Sequence, residues 1–410
     1  MRDSMRGEAS GEVASRPSRR QALGTMAASA AAAAALPLLG AATAAEAAPR
    51  AAGAARRRAA ELFYTGTWKG TQIYGGWFDP VRGTMTRIGP LAEVTANWAA
   101  AHPSRPVLYV AGGEDGGVVH VFRVDRATGG LAPAGEVHTD GGGTAGGGLS
   151  YIGVDRRSDT LLVANFEAGL AASLPIARDG GLGSPVSVVH DTGSGPNPRQ
   201  AAPHPHEVVV DPSGTYALVA DFGADRVFAY RYDRSTGAMS YDAKTGPRSF
   251  ATAPGSGPRR LVFHPNRRDC YLLNELTADL QALHWNPRRG RFTNRQILPL
   301  DSPGFEGAKS GAELAISRDG RFVYASSRGE NTLVAFSVDR RTGLLRLVQR
   351  VPCGGVKPWS FTLHESGRWM FVANQVSGTV NLFAVDRRSG RLTDTGRSLS
   401  IPSPDGITFC

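Results

Sequence analysis

Cysteine is scarce: three in 410 residues, so Cys270, Cys353 and Cys410 cannot all pair internally. Their spacing matches no zinc pattern, and a disulfide between two of them is permitted but not indicated. Cys270 lies inside an apolar strand and reads as a small core residue. The nine histidines show no H-x-x-x-H or H-x-x-E-H spacing. His138 and Asp140 have no third ligand close in sequence, so no metal site is expected there. A G-x-S-x-G elbow is missing, which argues against an α/β serine hydrolase. Gly141-Gly142-Gly143 and Gly146-Gly147-Gly148 lack the Lys-Ser/Thr ending of a phosphate loop and read as a flexible connector. Long apolar helical patterns are few. There is also no basic stripe with interleaved aromatics, although the net charge is +10. Residues 1–60 carry +5 of it, nine arginines against four acidic residues. The remainder is spread through turns such as Arg340-Arg341 and Arg387-Arg388, so no nucleic-acid partner is expected.

What is abundant is turn chemistry: 51 glycines and 26 prolines. The stretch HPHEVVVDPSGTYALVADFGAD, His204 to Asp225, alternates apolar residues through Val208 and Val210. It then turns at Asp211-Pro212-Ser213-Gly214 and runs apolar again to Val219-Ala220. That is a β-hairpin with a tight turn at its tip. Hairpins of this form recur after Trp98, Tyr151, Arg260, Glu313 and Trp359, at a spacing of roughly 50 residues, the range of propeller blades. A second repeat falls between them, as VDRATGGL, YDRSTGAM, VDRRTGLL and VDRRSGRL. Looser versions are FDPVRGTM, WNPRRGRF and IARDGGL. Its turn glycines are Gly83, Gly129, Gly180, Gly237, Gly290, Gly343 and Gly390, and seven such turns predict seven blades. Residues 61–91 hold strand-like sequence without an inner strand, whereas IPSPDGITFC ends the chain on a strand without a partner. The fold class is therefore all-β, a seven-bladed propeller closed by Ile407-Thr408-Phe409 joining residues 61–91. Closure of this kind removes exposed sheet edges.

Residues 1–47 stand apart. Ser18-Arg19-Arg20-Gln21-Ala22-Leu23 precedes an Ala-rich run with small-residue cleavage options at Ala42-Thr43-Ala44 and Ala45-Glu46-Ala47. This is the layout of a twin-arginine export signal, so the export machinery is an expected partner and the mature protein is expected outside the cytoplasm. Alanine is weakly apolar and Pro37 interrupts the run, which argues against a membrane span. Residues 48–60 read as a disordered lead-in, and residues 61–410 as one domain.

A hairpin returns its chain to the face it left, about 20 Å across the ring at 3.3 Å per residue. Residues before each first strand and after each second strand should therefore share one rim of the channel. That rim reads Asn97, Glu114, Tyr151, Asn165, His206, Asp221, Arg259, Arg260, Asn274, Glu275, Glu313, Arg328, Trp359, Asn374 and Gln375. The opposite rim receives little but turn formers. His206, Arg259, Glu275 and Arg328 fall on three consecutive blades. A histidine or carboxylate can activate water, and guanidiniums can hold an acidic substrate and a developing oxyanion. Ester or lactone hydrolysis needs these parts and no cofactor. Inter-blade salt bridges, Arg259 with Glu275 for example, are the purely structural alternative. His204, between two prolines, is a weaker candidate. Asp221, Asn274, Glu313, Trp359 and Gln375 complete the expected substrate-binding set.

HPHEVVVDPSGTYALVADFGADRVFAY, GSGPRRLVFHPNRRDCYLLNEL, AELAISRDGRFVYASSRGENTLVAF and FVANQVSGTV resemble the bacterial propeller lactonases over residues 61–410. That family includes propeller-type 6-phosphogluconolactonase and is similar in fold to carboxymuconate cycloisomerase. The resemblance implies a cofactor-free site in the channel mouth. By motif, His206 or Glu275 would move protons, while Arg259 and Arg328 would hold a carboxylate or phosphate. The sequence departs from the family pattern at Tyr151, Arg260, Ser327 and Trp359. The expectation is an exported lactonase acting on a sugar lactone or related acidic lactone. The alternatives are a propeller that binds without catalysing and a muconate-type cycloisomerase.

Overall fold

The computed structural model describes residues 60–112, 116–142 and 147–410. The expected export signal, residues 48–59 of the lead-in, and Glu114 lie outside the described residues. The remainder forms seven antiparallel sheets. Blade 1 is composite: Pro404–Phe409 pairs with Glu61–Thr67, followed outward by Gln72–Asp79 and Thr84–Glu93. Phe63 faces Phe409, and Thr65 faces Ile407, as the unpaired final strand required.

Blades 2 to 7 follow in chain order, with inner strands Trp98–Ala101, Leu149–Asp155, Pro205–Val210, Pro258–Phe263, Gly311–Ile316 and Pro358–Leu363. Blade 4 departs from the four-strand plan, because Ala238–Ser240 and Arg248–Ala251 both pair with Arg226–Asp233. The outer turns behave as their repeats require. In five of them the glycine N–H returns to the aspartate carbonyl four residues earlier, as for Gly129 to Asp125 at 2.7 Å. Gly129 has φ +81°, a conformation that costs glycine little and other residues more.

Second strands are buried on both faces, which is why they read as unbroken apolar runs. In Tyr216–Asp221, Tyr216 and Leu218 pack toward blade 5, whereas Ala217 and Val219 pack toward blade 3. The core is accordingly divided into seven apolar clusters, one at each interface between neighbouring blades. Buried tyrosines pin some blades to the next. The hydroxyls of Tyr64, Tyr109 and Tyr271 donate to the carbonyls of Gly129, Gly180 and Gly343 in the following outer turn. All three cysteines are free thiols, and Cys270 and Cys353 are buried. No helix among the described residues is long and apolar enough to cross a membrane.

One local device positions the channel mouth. The inner strands of blades 1 and 3 to 7 each carry a β-bulge near the start of the strand, for instance between Pro205 and Glu207 and between Pro258 and Arg260. A bulge inserts an unpaired residue and re-aims side chains that strict alternation would send to opposite faces. Arg259 and Arg260 thus both line the mouth, although they are sequence neighbours.

Candidate active site

The mouth holds a cavity of about 600 Å³. His206, Arg259, Trp359 and Asp405 reach it from the bulged residues of four inner strands, each following a proline. Glu275 and Arg328 arrive from the ends of second strands in blades 5 and 6. Arg199 comes from a short 3-10 turn, Pro198–Gln200, before blade 4. Trp68, Trp98 and Phe166 supply aromatic walls.

Glu275 is the hub. Its Oε1 lies 2.9 Å from guanidinium nitrogens of both Arg199 and Arg328, and its Oε2 accepts from Arg259 Nη1 at 2.8 Å. Burial alone would raise its pKa, but the charges of Arg328, Arg259 and Arg199 outweigh that and hold it at about 2. It is a fully ionised and weak base. Arg259 also bonds to His206 Nε2 and donates through Nε to the Ala312 carbonyl. Burial, and next the Arg328 charge, pull the Arg259 guanidinium down to about 9, so it remains a cation at neutral pH. His206 is held well below the ordinary histidine range, first by burial and then by Arg259 and Arg260. Its imidazole is therefore neutral, with Nε2 occupied by Arg259. Arg328 donates from Nε to Ser310 Oγ at 3.1 Å and lies 4.2 Å from the Trp359 ring centre. Trp359 in turn meets Trp68 at 4.6 Å. The expected Arg259–Glu275 salt bridge thus exists, and it forms the cavity wall rather than replacing it.

A second tier surrounds Arg260. Its guanidinium sits 3.2 Å from Glu313 and 3.9 Å from Glu207, over the rings of Trp98 at 4.2 Å and Tyr151 at 5.0 Å. Burial pushes Glu207 up to about 7 despite Arg260 and the Leu261 N–H that it accepts. Tyr151 and Arg260 thus pack against each other, the ring lying beneath the guanidinium.

Several expected rim residues do other work. Asp221 is fully buried and accepts the N–H groups of His204 and Ala224, fixing the loop at its strand end. Asn274 donates to Asp279 at 2.7 Å. His204 stacks on Phe166 at 4.4 Å, with Nδ1 on the Phe166 carbonyl. Gln375 is tied by its backbone to Lys357 and lies off the cavity wall. Glu313 serves Arg260 rather than the cavity. Ser327 binds Asp301 at 2.6 Å. Residues at strand ends share the rim in position, but the Asp221 and Asn274 side chains turn back to close their own connections. Conversely, Arg199, Lys69 and Asp405 line the cavity without having been expected there. For Asp405 a signal existed: Pro404-Asp405 repeats the Pro205-His206, Pro258-Arg259 and Pro358-Trp359 pattern.

The family model for the seven-bladed β-propeller lactonases matches residues 62–409. The chain belongs to this family. Among its relatives is the 6-phosphogluconolactonase of Bacillus subtilis, 31% identical over 313 residues, or 76% of this chain and 86% of that protein. The structure of a periplasmic gluconolactonase from Pseudomonas aeruginosa superposes with a TM-score of 0.77 at 30% identity, covering 85% of this chain and 99% of that one. A Lactobacillus plantarum protein gives 0.77 at 28% identity over 86% and 99% of the two chains.

Proposed function

We propose that this protein is a lactonase that works outside the cytoplasm and hydrolyses a sugar lactone or related acidic lactone to the hydroxy acid. The observation that carries the reading is the charge in the mouth. Five basic side chains line it (Lys69, Arg199, Arg259, Arg260 and Arg328) against three carboxyls, Glu167, Glu275 and Asp405. The excess favours an anionic substrate, and tryptophan faces beside it suit a sugar ring. In lactone hydrolysis, negative charge develops on the carbonyl oxygen, and preorganised guanidiniums stabilise it without reorganising. Arg259 and Arg328, locked by Glu275, are placed for that role. Glu275 acts as their anchor, and His206 orients Arg259. The names of the Bacillus and Pseudomonas relatives support lactone chemistry, and the Pseudomonas one also supports a location beyond the inner membrane. The twin-arginine pattern at Ser18–Leu23 supports the same address.

The test is turnover by purified secreted protein of phosphorylated, unphosphorylated and aromatic-derived lactones, followed by acid release, with a muconate tested in parallel. Hydrolysis of an acidic sugar lactone well above the buffer rate is expected, together with cleavage of the chain between residues 42 and 48. Turnover of the muconate alone would instead favour the cycloisomerase reading, and silence on every compound the binding one.

A further inference from the structure

We infer that Asp405, carried by the strand that closes the ring, is the general base that activates water in this site. The inference rests on the lactonase reading above. Hydrolysis requires a group that takes a proton from water, and the two obvious candidates are occupied. Glu275 is clamped by three guanidiniums, and His206 has its Nε2 engaged by Arg259 and its Nδ1 unpartnered but buried away from the cavity surface. Asp405 differs from both. It lines the cavity, is 3% exposed, and its carboxyl makes no hydrogen bond or ion pair among the described residues. Its backbone is fixed instead: the Asp405 carbonyl accepts the hydroxyls of Thr65 and Ser360. The bulge opposite Thr65 and Thr67 puts it at the strand position that delivers His206 and Arg259 in blades 4 and 5.

The charges around it set its proton affinity. Burial raises it, Arg259, Arg260 and Arg328 lower it, Glu313 raises it, and the balance falls at about 7. Lys69, Glu167, Arg199, His206 and Glu275 line the same cavity. The strands packed against Asp405, Glu61–Thr67, Trp98–Ala101, Pro358–Leu363 and Trp369–Asn374, add only two titratable groups. Glu61 is paired with His364, and the Tyr64 hydroxyl is bonded to Gly129. A base with this affinity is half ionised near neutral pH, the condition under which proton transfer is most effective. In the step, water oxygen bonds to the lactone carbonyl carbon as its proton passes to the Asp405 carboxylate. The tetrahedral oxyanion rests on Arg259 and Arg328. Its collapse breaks the ring C–O bond, and the leaving alkoxide takes the proton back from Asp405.

The experiment compares wild type, Asp405→Asn and Asp405→Glu on the best acidic lactone of the panel, with kcat and KM measured across pH. For wild type, kcat/KM should rise with pH to a plateau, with a midpoint near 7. Asp405→Asn should lower kcat by about 100-fold or more, leave KM nearly unchanged, and abolish the acidic limb. Asp405→Glu should recover part of the limb. Asn is nearly isosteric with Asp, and an unchanged denaturation midpoint checks that the ring remains intact. Wild-type rates in Asp405→Asn, or a wild-type profile flat between about pH 5.5 and 8.5, would remove Asp405 from the mechanism and leave the lactonase reading standing. A wild type silent on every lactone would overturn both.

Discussion

Replacing Glu275 with glutamine should destabilise the propeller by an amount that the structure bounds. The carboxyl falls from an ordinary 4.5 to about 2 on folding. At 1.36 kcal/mol per pH unit, that fall is worth about 3 kcal/mol. Removing one partner of a buried ionic cluster typically costs about 3–5 kcal/mol, because the remaining charges are left uncompensated. Here three guanidiniums would be left facing one another. Because the folded pKa is depressed, the contribution is complete above pH 4.5 and disappears as pH falls through about 2. Chemical denaturation of wild type and Glu275→Gln should therefore differ by about 3 kcal/mol at pH 7, with the gap closing on acidification below 4.5. A second substitution sharpens the test. The Arg199 side chain is 57% exposed and pairs with Glu275, so Arg199→Gln alone should cost at most about 1 kcal/mol. In the Glu275→Gln background the same change removes a repulsion and should become neutral or stabilising. Equal stabilities at pH 7, or an Arg199 effect of the same sign in both backgrounds, would refute the reasoning.

Arg260→Met should cost about 3–5 kcal/mol at pH 8, since Glu207 and Glu313 would then face each other unpaired. Denaturation at pH 5 should show a smaller loss, because Glu207 is protonated there. Glu207 itself has a folded pKa raised to about 7, so its contribution is complete below 4.5 and is lost as pH rises through 7. Glu207→Gln should flatten the wild-type decline in stability over that window in a pH series of denaturation curves. Deleting residues 404–410 removes the inner strand of blade 1 and bares the edge of Glu61–Thr67. Hydrogen exchange should then show fast exchange at Phe63 and Thr65, and size-exclusion chromatography should show association through the open edge.

Much of the architecture was legible because each blade repeats the same local chemistry. Turn glycines at positive φ and the apolar second strands announce themselves at fixed spacing. The terminal strand was readable from a partner missing at one place and a surplus at another. The site was legible where polar residues follow strands, as for Glu275 and Arg328. Two things hid the rest. The inner-strand bulges break alternation, so that Arg260 lines the cavity beside its neighbour Arg259. The connections between blades carry no repeat, so nothing marked Arg199 in Pro198–Gln200 as a partner of Glu275. Asp405 was read only as part of the closing strand, although its proline-led position matches that of His206.

The strand Pro404–Phe409 latches the first and last blades and also carries a wall of the cavity. On the assignment of Asp405 proposed above, catalytic competence and a shut ring are one event. A chain released early, or a ring prised apart at that seam, would keep Arg259, Glu275 and Arg328 on their own blades yet have a gap where the acid belongs. Inactivity in a nicked or incompletely folded molecule is thus built into the order in which the polypeptide is threaded.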